Sequence, residues 1–389
     1  MAKYIDGELT TLARSDIENY EADYEEETYD LQASFKSGVI ERICEIGYAD
    51  DKDDISKVID FVCSKFKEHN ISIKKKDEDR TRIDVKNWLS GGAPNDSEQS
   101  RPNVYKLCFA LEMDVEQTRV FFFKKYLCRP FNLKNADEAA YYFCLNTGRS
   151  HDKAIELIEK VENLPCVSTS ENIETRLMEI PLSEITTEED FLSYMKNHRY
   201  DKKEQHQTVA KEIEELVEEC KRLAGVKSND ALLEQVLGYK ERGKDGVFIL
   251  DKKSGEEKRF GISKSDLPDA IKTNFPQPIS FSQIKNRNAT DDTYRKMLMI
   301  LSFFKYYIRL KNSIIKSGVS ENNMDLSEYF DEFEMTIDQL LEKCGYVQVY
   351  WRNPFDRFIL LCAKQQNPLE ELKWLLQIYY LDIAKESYR

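Results

Sequence analysis

Nine residues of this chain have the types and spacing to touch nucleic acid. Arg80, Thr81, Arg82, Lys86 and Asn87 fall in one short stretch, and Arg101, Lys124, Lys125 and Arg129 follow it. Guanidinium and ammonium groups neutralise phosphates, while an amide or hydroxyl can pair with a base edge. The segment RVFFFKKYLCRPFNLK (119–134) carries Arg119, Lys124, Lys125, Arg129 and Lys134 with no acidic residue. As structure, it is a helix ending at Pro130 that turns Phe121, Phe122 and Tyr126 inward and solvates its lysines. As function, it is a phosphate-gripping surface beside a reading helix. Nothing comparable points to catalysis: the chain has no nucleotide-binding glycine loop, no HExxH, no GxSxG and no Cys-His arrangement. The expectation is a non-enzyme without a cofactor. A metal site is not expected either, because His69, His151, His198 and His206 are not spaced with each other or with the nine cysteines.

The elements that would position these residues are helices. Val85, Trp88 and Leu89 stand at i, i+3 and i+4, one apolar stripe on a short helix that leaves Arg82, Lys86 and Asn87 pointing elsewhere. Gly91 and Gly92 should end it. Ser100 is placed to cap the next helix, with Pro102 in its first turn and Val104, Leu107, Cys108 and Leu111 as its buried face. Upstream, Ile55, Val58, Ile59, Val62 and Phe66 mark another helix, opened by the acidic DDKDD.

This order of short helix, break and helix, with WLSG at the hinge, resembles the last two helices of Cro/repressor-type (XRE-like) helix-turn-helix domains. In that family the recognition helix closes on an aliphatic residue, a Trp three positions on and a Gly after it. Val85, Trp88 and Gly91 match here, and the family's phrase after the next helix is matched by Ala110, Leu111, Asp114, Val115 and Glu116. The continuation RPFN…EAAYYFCL…IELIEK is similar to that of uncharacterised XRE-like proteins of bacterial mobile elements. The resemblance implies a DNA-reading helix around Thr81–Asn87. Ile71-Ser72 would open the first helix of the motif, and too few residues then separate it from Thr81-Arg82 for the family's usual helix and turn.

Composition bounds the rest. Few glycines and prolines with 33% charged residues predict a mainly α protein, and 389 residues predict more than one domain. The expected layout is an acidic, tyrosine-rich arm (1–33), an XRE-like helical domain (34–162), a connector (163–190), and a C-terminal helical domain (191–389) with one β-hairpin at 246–262. Lysines 244, 252, 253 and 258 and Arg259 would make that hairpin a wing on DNA, or a solvated edge. Residues 266–315 faintly repeat the opening theme, with Lys285, Arg287, Asn288 and Arg295 facing a partner. The apolar face of Leu369, Leu372, Leu375, Leu376 and Tyr379 is read as core or as a dimer seam. No long uncharged apolar run occurs and the cysteines are scattered singly, which predicts a cytoplasmic protein with free thiols and no membrane partner.

Net charge is −14, with 17 acidic against 6 basic residues in the first 60. A uniformly nucleic-acid-gripping surface is thereby disfavoured, since phosphate contacts need local positive charge. Three functions follow from these features. The first is a DNA-binding regulator of duplex DNA, a homodimer on paired half-sites, whose C-terminal domain oligomerises or senses a signal. The second is a protein-binding inhibitor or accessory factor in phage–host conflict that keeps a helix-turn-helix scaffold and engages its partner through the acidic arm. The third is RNA binding by the interleaved aromatic and basic residues.

Overall fold

In the computed structural model the described residues are 31–73, 78–90, 92–94, 99–166, 175–201, 203–237, 239–241, 247–250, 257–260, 275–276, 278–317, 326–350 and 353–373. The protein is mainly helical and divides into two compact units, Met1–Thr208 with Glu342–Val347, and Val209–Leu341 with Gln348–Arg389. The division falls after Thr208, not in the connector expected at 163–190. Part of that connector is helical and packs into the first unit. Of the acidic arm, only 31–33 are described, as helical backbone; residues 1–30 lie outside the described residues.

The first unit opens with α1 (Leu31–Glu45), α2 (Ile55–Glu68), α3 (Glu78–Ser90), α4 (Arg101–Ala110) and α5 (Val115–Phe121). Their apolar stripes form one core: Phe35, Val39 and Ile43 of α1, Val58, Val62 and Phe66 of α2, and Val85 and Leu89 of α3 are all buried. Asp54 caps α2 by accepting the Ser56 and Lys57 amides. Residues 71–73 do not open a helix as expected. They are an extended plug after Asn70, whose φ of 56° ends α2, and Ile71 and Ile73 bury their side chains. The plug is fixed at both ends: the Ile71 amide donates to the Phe66 carbonyl at 2.8 Å, and at Ile73 the amide donates to Thr81 Oγ1 at 3.2 Å while the carbonyl accepts from Lys106 Nζ at 2.9 Å.

Two other local expectations differ. Ser100 makes no side-chain cap hydrogen bond to α4, which instead starts with Pro102 in its first turn. The basic segment leaves the helix earlier than Pro130, through a π-helical turn at Phe122–Tyr126 and a left-handed Leu127 with φ 58°. The unit continues with α6 (Ala136–Asn146), α7 (His151–Glu162), α8 (Glu179–Glu184) and α9 (Glu188–His198). Ser150 caps α7 by accepting the Lys153 amide. Phe191 of α9, just past the expected connector, stacks on Phe143 of α6 with ring centroids 4.7 Å apart, and Met178 and Leu182 of the connector itself are buried in the same core.

The second unit contains α10 (Gln207–Ala224) from Val209 on, α11 (Asn229–Leu237), α12 (Pro278–Lys285), α13 (Asp291–Ser317), α14 (Ser327–Lys343) to Leu341, and α15 (Pro354–Lys364). Helix α13 is its axis, because the run Met297–Leu301 is buried on every side. Ile213, Leu216, Val217 and Cys220 form the buried stripe of α10. Backbone segments β1 (Tyr239–Glu241), β2 (Val247–Leu250) and β3 (Glu257–Phe260) pair antiparallel in that order. Lys244, Lys252 and Lys253 of the expected wing lie outside the described residues, as do Leu375, Leu376 and Tyr379, whereas Leu369 and Leu372 are buried. All nine cysteines are free, and burial pushes the Cys108, Cys144 and Cys220 thiols up to about 12. No helix among the described residues is long and apolar enough to cross a membrane.

Candidate nucleic-acid interface

Helix α3 has two unlike sides. Thr81, Val85 and Leu89, four residues apart, are buried against the core, and the arc of Arg82, Ile83, Lys86, Asn87 and Ser90 is exposed. Arg82 reaches across to Asp60 on α2, and the hydrogen bond it donates to that carboxylate raises its guanidinium pKa. Arg80 pairs along the helix with Asp84 at 3.4 Å. Lys86 and Asn87 make no side-chain hydrogen bond or ion pair among the described residues. Ile83, 47% exposed, also lies on this arc; its signal in the sequence is that it falls off the Thr81–Val85–Leu89 row.

The other predicted residues disperse. Thr81 is buried and anchors the 71–73 plug, so its hydroxyl does not face a partner. Arg101, 5% exposed, is an interior residue: its Nε donates to Glu138 Oε1 at 2.8 Å, and its Nη2 to Glu138 Oε2 and the Arg129 carbonyl, both at 2.9 Å. Arg129 is buried too, with its guanidinium 5.0 Å above the Tyr346 ring. Neither arginine can reach a phosphate from there. Lys125 pairs with Glu41 at 2.6 Å, and Arg119 pairs with Glu116 and Glu179. Lys124 is half-buried on the π turn. Lys134 is buried, donating to Thr208 Oγ1 at 2.8 Å, and burial, reinforced by the Arg129 charge, brings its pKa down to about 8. The acid-free run is thus no basic stripe in three dimensions, because its partners come from distant sequence. Phe121, Phe122 and Tyr126 are buried, which removes the stacking surface that RNA binding would use.

One group has ligand geometry for a metal. Glu68, His69 and Glu112 bring their ligand atoms within 4.8 Å of one another at the end of α2. Lys65 Nζ already lies 3.0 Å from both carboxylates, and its hydrogen bond, with that of His69, holds the Glu112 carboxyl below its usual range. An ion would have to displace that ammonium. The cluster works as an ion-pair clamp between α2 and the end of α4, where Arg42 also donates to the Leu111 carbonyl at 2.9 Å.

His151, the first residue of α7, is buried, its ring stacked on Tyr141 with centroids 6.1 Å apart. Burial, and secondarily the Lys106 charge, lowers its pKa to about 4. Below the ordinary histidine range the unfolded chain therefore binds the proton that the folded chain refuses. Stability contributed by the neutral ring is complete above about pH 6.5 and is lost as pH falls towards 4, with a ceiling of roughly 3 kcal/mol. His151→Phe should flatten the slope of unfolding free energy over that window; an unchanged slope would assign it to other groups.

Comparison of the chain with protein-family models, with curated proteins and with solved structures finds no match.

Proposed function

We propose that this chain is a DNA-binding regulatory protein in which α2 and α3 form an XRE-like helix-turn-helix, with α4 and α5 as its scaffold. The observation that carries this reading is the exposed arc of Arg82, Ile83, Lys86 and Asn87 on a helix whose opposite side is locked into the core. Such a helix offers donors, an amide and a methyl-bearing side chain to the major groove without disturbing its own packing. The second unit is proposed to oligomerise the protein or to sense a signal.

The test is the double substitution Arg82→Ala with Lys86→Ala. Both side chains are exposed, so the unfolding midpoint should hold within a degree or two. Affinity for duplex DNA at low salt should fall about tenfold or more. Undiminished binding with the fold intact would remove α3 as the interface.

A second reading, a protein-binding factor on the same scaffold, is favoured by the number of committed cations. Arg80, Arg82, Lys125 and Arg119 are paired, and Arg101 and Arg129 are buried. This reading predicts no duplex binding in any form, and loss of partner capture when residues 1–33 are deleted.

A further inference from the structure

We propose that Lys134, Thr208 and Arg129 form a buried binding site for a monovalent, halide-sized anion of the chloride class. The three residues belong to the first unit and take no part in the α3 interface, so the inference stands apart from the DNA-binding reading.

Lys134 is 2% exposed, and lysine is almost never buried so completely without an acid beside it. Among the described residues no carboxylate stands within ion-pair distance of its ammonium, and Glu204 acts on it only at longer range. One of the three N–H donors on Nζ is taken, by Thr208 Oγ1 at 2.8 Å. The Tyr200 ring faces the ammonium with its centroid 5.5 Å away. Thr208 and Tyr200 are themselves buried. The neighbouring charge has the same sign. Arg129 is 4% exposed, and burial together with its charge brings the Lys134 pKa down to about 8, which still leaves the ammonium mostly protonated at neutral pH. Two buried cations that repel each other, one of them with two donors to spare, are an expensive arrangement for a core. An anion held by those donors satisfies them and turns the repulsion into attraction.

The donor count selects the occupant. A tetrahedral oxyanion would bury four oxygens against few N–H groups and leave acceptors unsatisfied. A halide is a single centre, which those donors can satisfy.

The experiment follows thermal unfolding of the full chain as chloride replaces fluoride at constant ionic strength. The midpoint should rise saturably, by about 3–5 °C once chloride stands tenfold above its Kd, and bromide should act as chloride does. Lys134→Met keeps the apolar stem without the charge and should lose the halide response altogether. Thr208→Val is the milder change, leaves both cations in place, and should raise the Kd about 5-fold; it decides the matter if the lysine variant does not fold. The chloride NMR signal should also broaden in the presence of the native chain and narrow again when bromide is added. A midpoint insensitive to halide, a halide response that survives in Lys134→Met or is unchanged in Thr208→Val, or a saturable response of the same size to phosphate overturns the inference.

Discussion

Replacing Glu138 by Ala should cost the first unit about 3–5 kcal/mol and lower its unfolding midpoint on the order of 10 °C. Glu138 is 7% exposed and its two oxygens accept from Arg101 Nε and Nη2, the Asn132 amide at 2.6 Å and the Tyr105 hydroxyl at 3.0 Å. Its removal leaves the Arg101 guanidinium desolvated with its main counter-charge gone. Two π faces, Phe122 at 5.5 Å and Tyr105 at 5.9 Å, compensate only in part. Tyr105 would also lose an acceptor, in a setting where burial already drives its hydroxyl pKa well above the ordinary value. The double variant Arg101→Met with Glu138→Leu should be less damaged than either single one, since it leaves no buried charge unpaired. Chemical denaturation of the three variants checks this. Loss of DNA affinity by Arg101→Ala without loss of stability would contradict the interior role assigned to that arginine.

The second large effect belongs to the other unit. Asp356 is fully buried and receives Arg295 through both oxygens, at 2.5 and 2.7 Å, with the Tyr350 amide at 2.8 Å. It also stands in the first turn of α15, where Asn353 caps the helix by accepting the Phe355 and Asp356 amides. Asp356→Ala removes the counter-charge of a buried guanidinium and an anion from a helix N-terminus at once, for about 3–5 kcal/mol. Arg295 Nε has no hydrogen-bond partner among the described residues, so the stranded cation gains no alternative from that atom. Asp356→Asn, which keeps the shape and one acceptor, should recover part of the loss. Equal, small effects of both substitutions would show that water reaches the pair.

Arg295 also marks the limit of what the sequence disclosed. Its surroundings suggested a partner-facing cation, and Arg287 beside it pairs with Glu214 at 2.9 Å. Local pattern was legible where periodicity decides: the Val58–Phe66 stripe and Val85 with Leu89 follow from spacing alone, whereas the Ser100 cap does not form. Charge placement was not. A cation's role depends on whether an acid from elsewhere finds it, and those acids are remote: Asp60 for Arg82, Glu138 for Arg101, Glu41 for Lys125. The plug at 71–73 was hidden for a related reason. Two isoleucines separated by a serine suit a helix start, a strand or a buried extended turn, and only the Thr81 and Lys106 contacts select among them.

The central claim is that α3 carries a small, specific nucleic-acid interface and not a broad basic one. Titration of random duplex DNA with the full chain across a salt series tests it most directly. With the exposed Arg82 and Lys86 of α3 as the contacting cations, the logarithm of the affinity should fall with the logarithm of salt at a slope of about −2 per protomer. No binding at the lowest salt would contradict the claim and leave the protein-binding reading in its place.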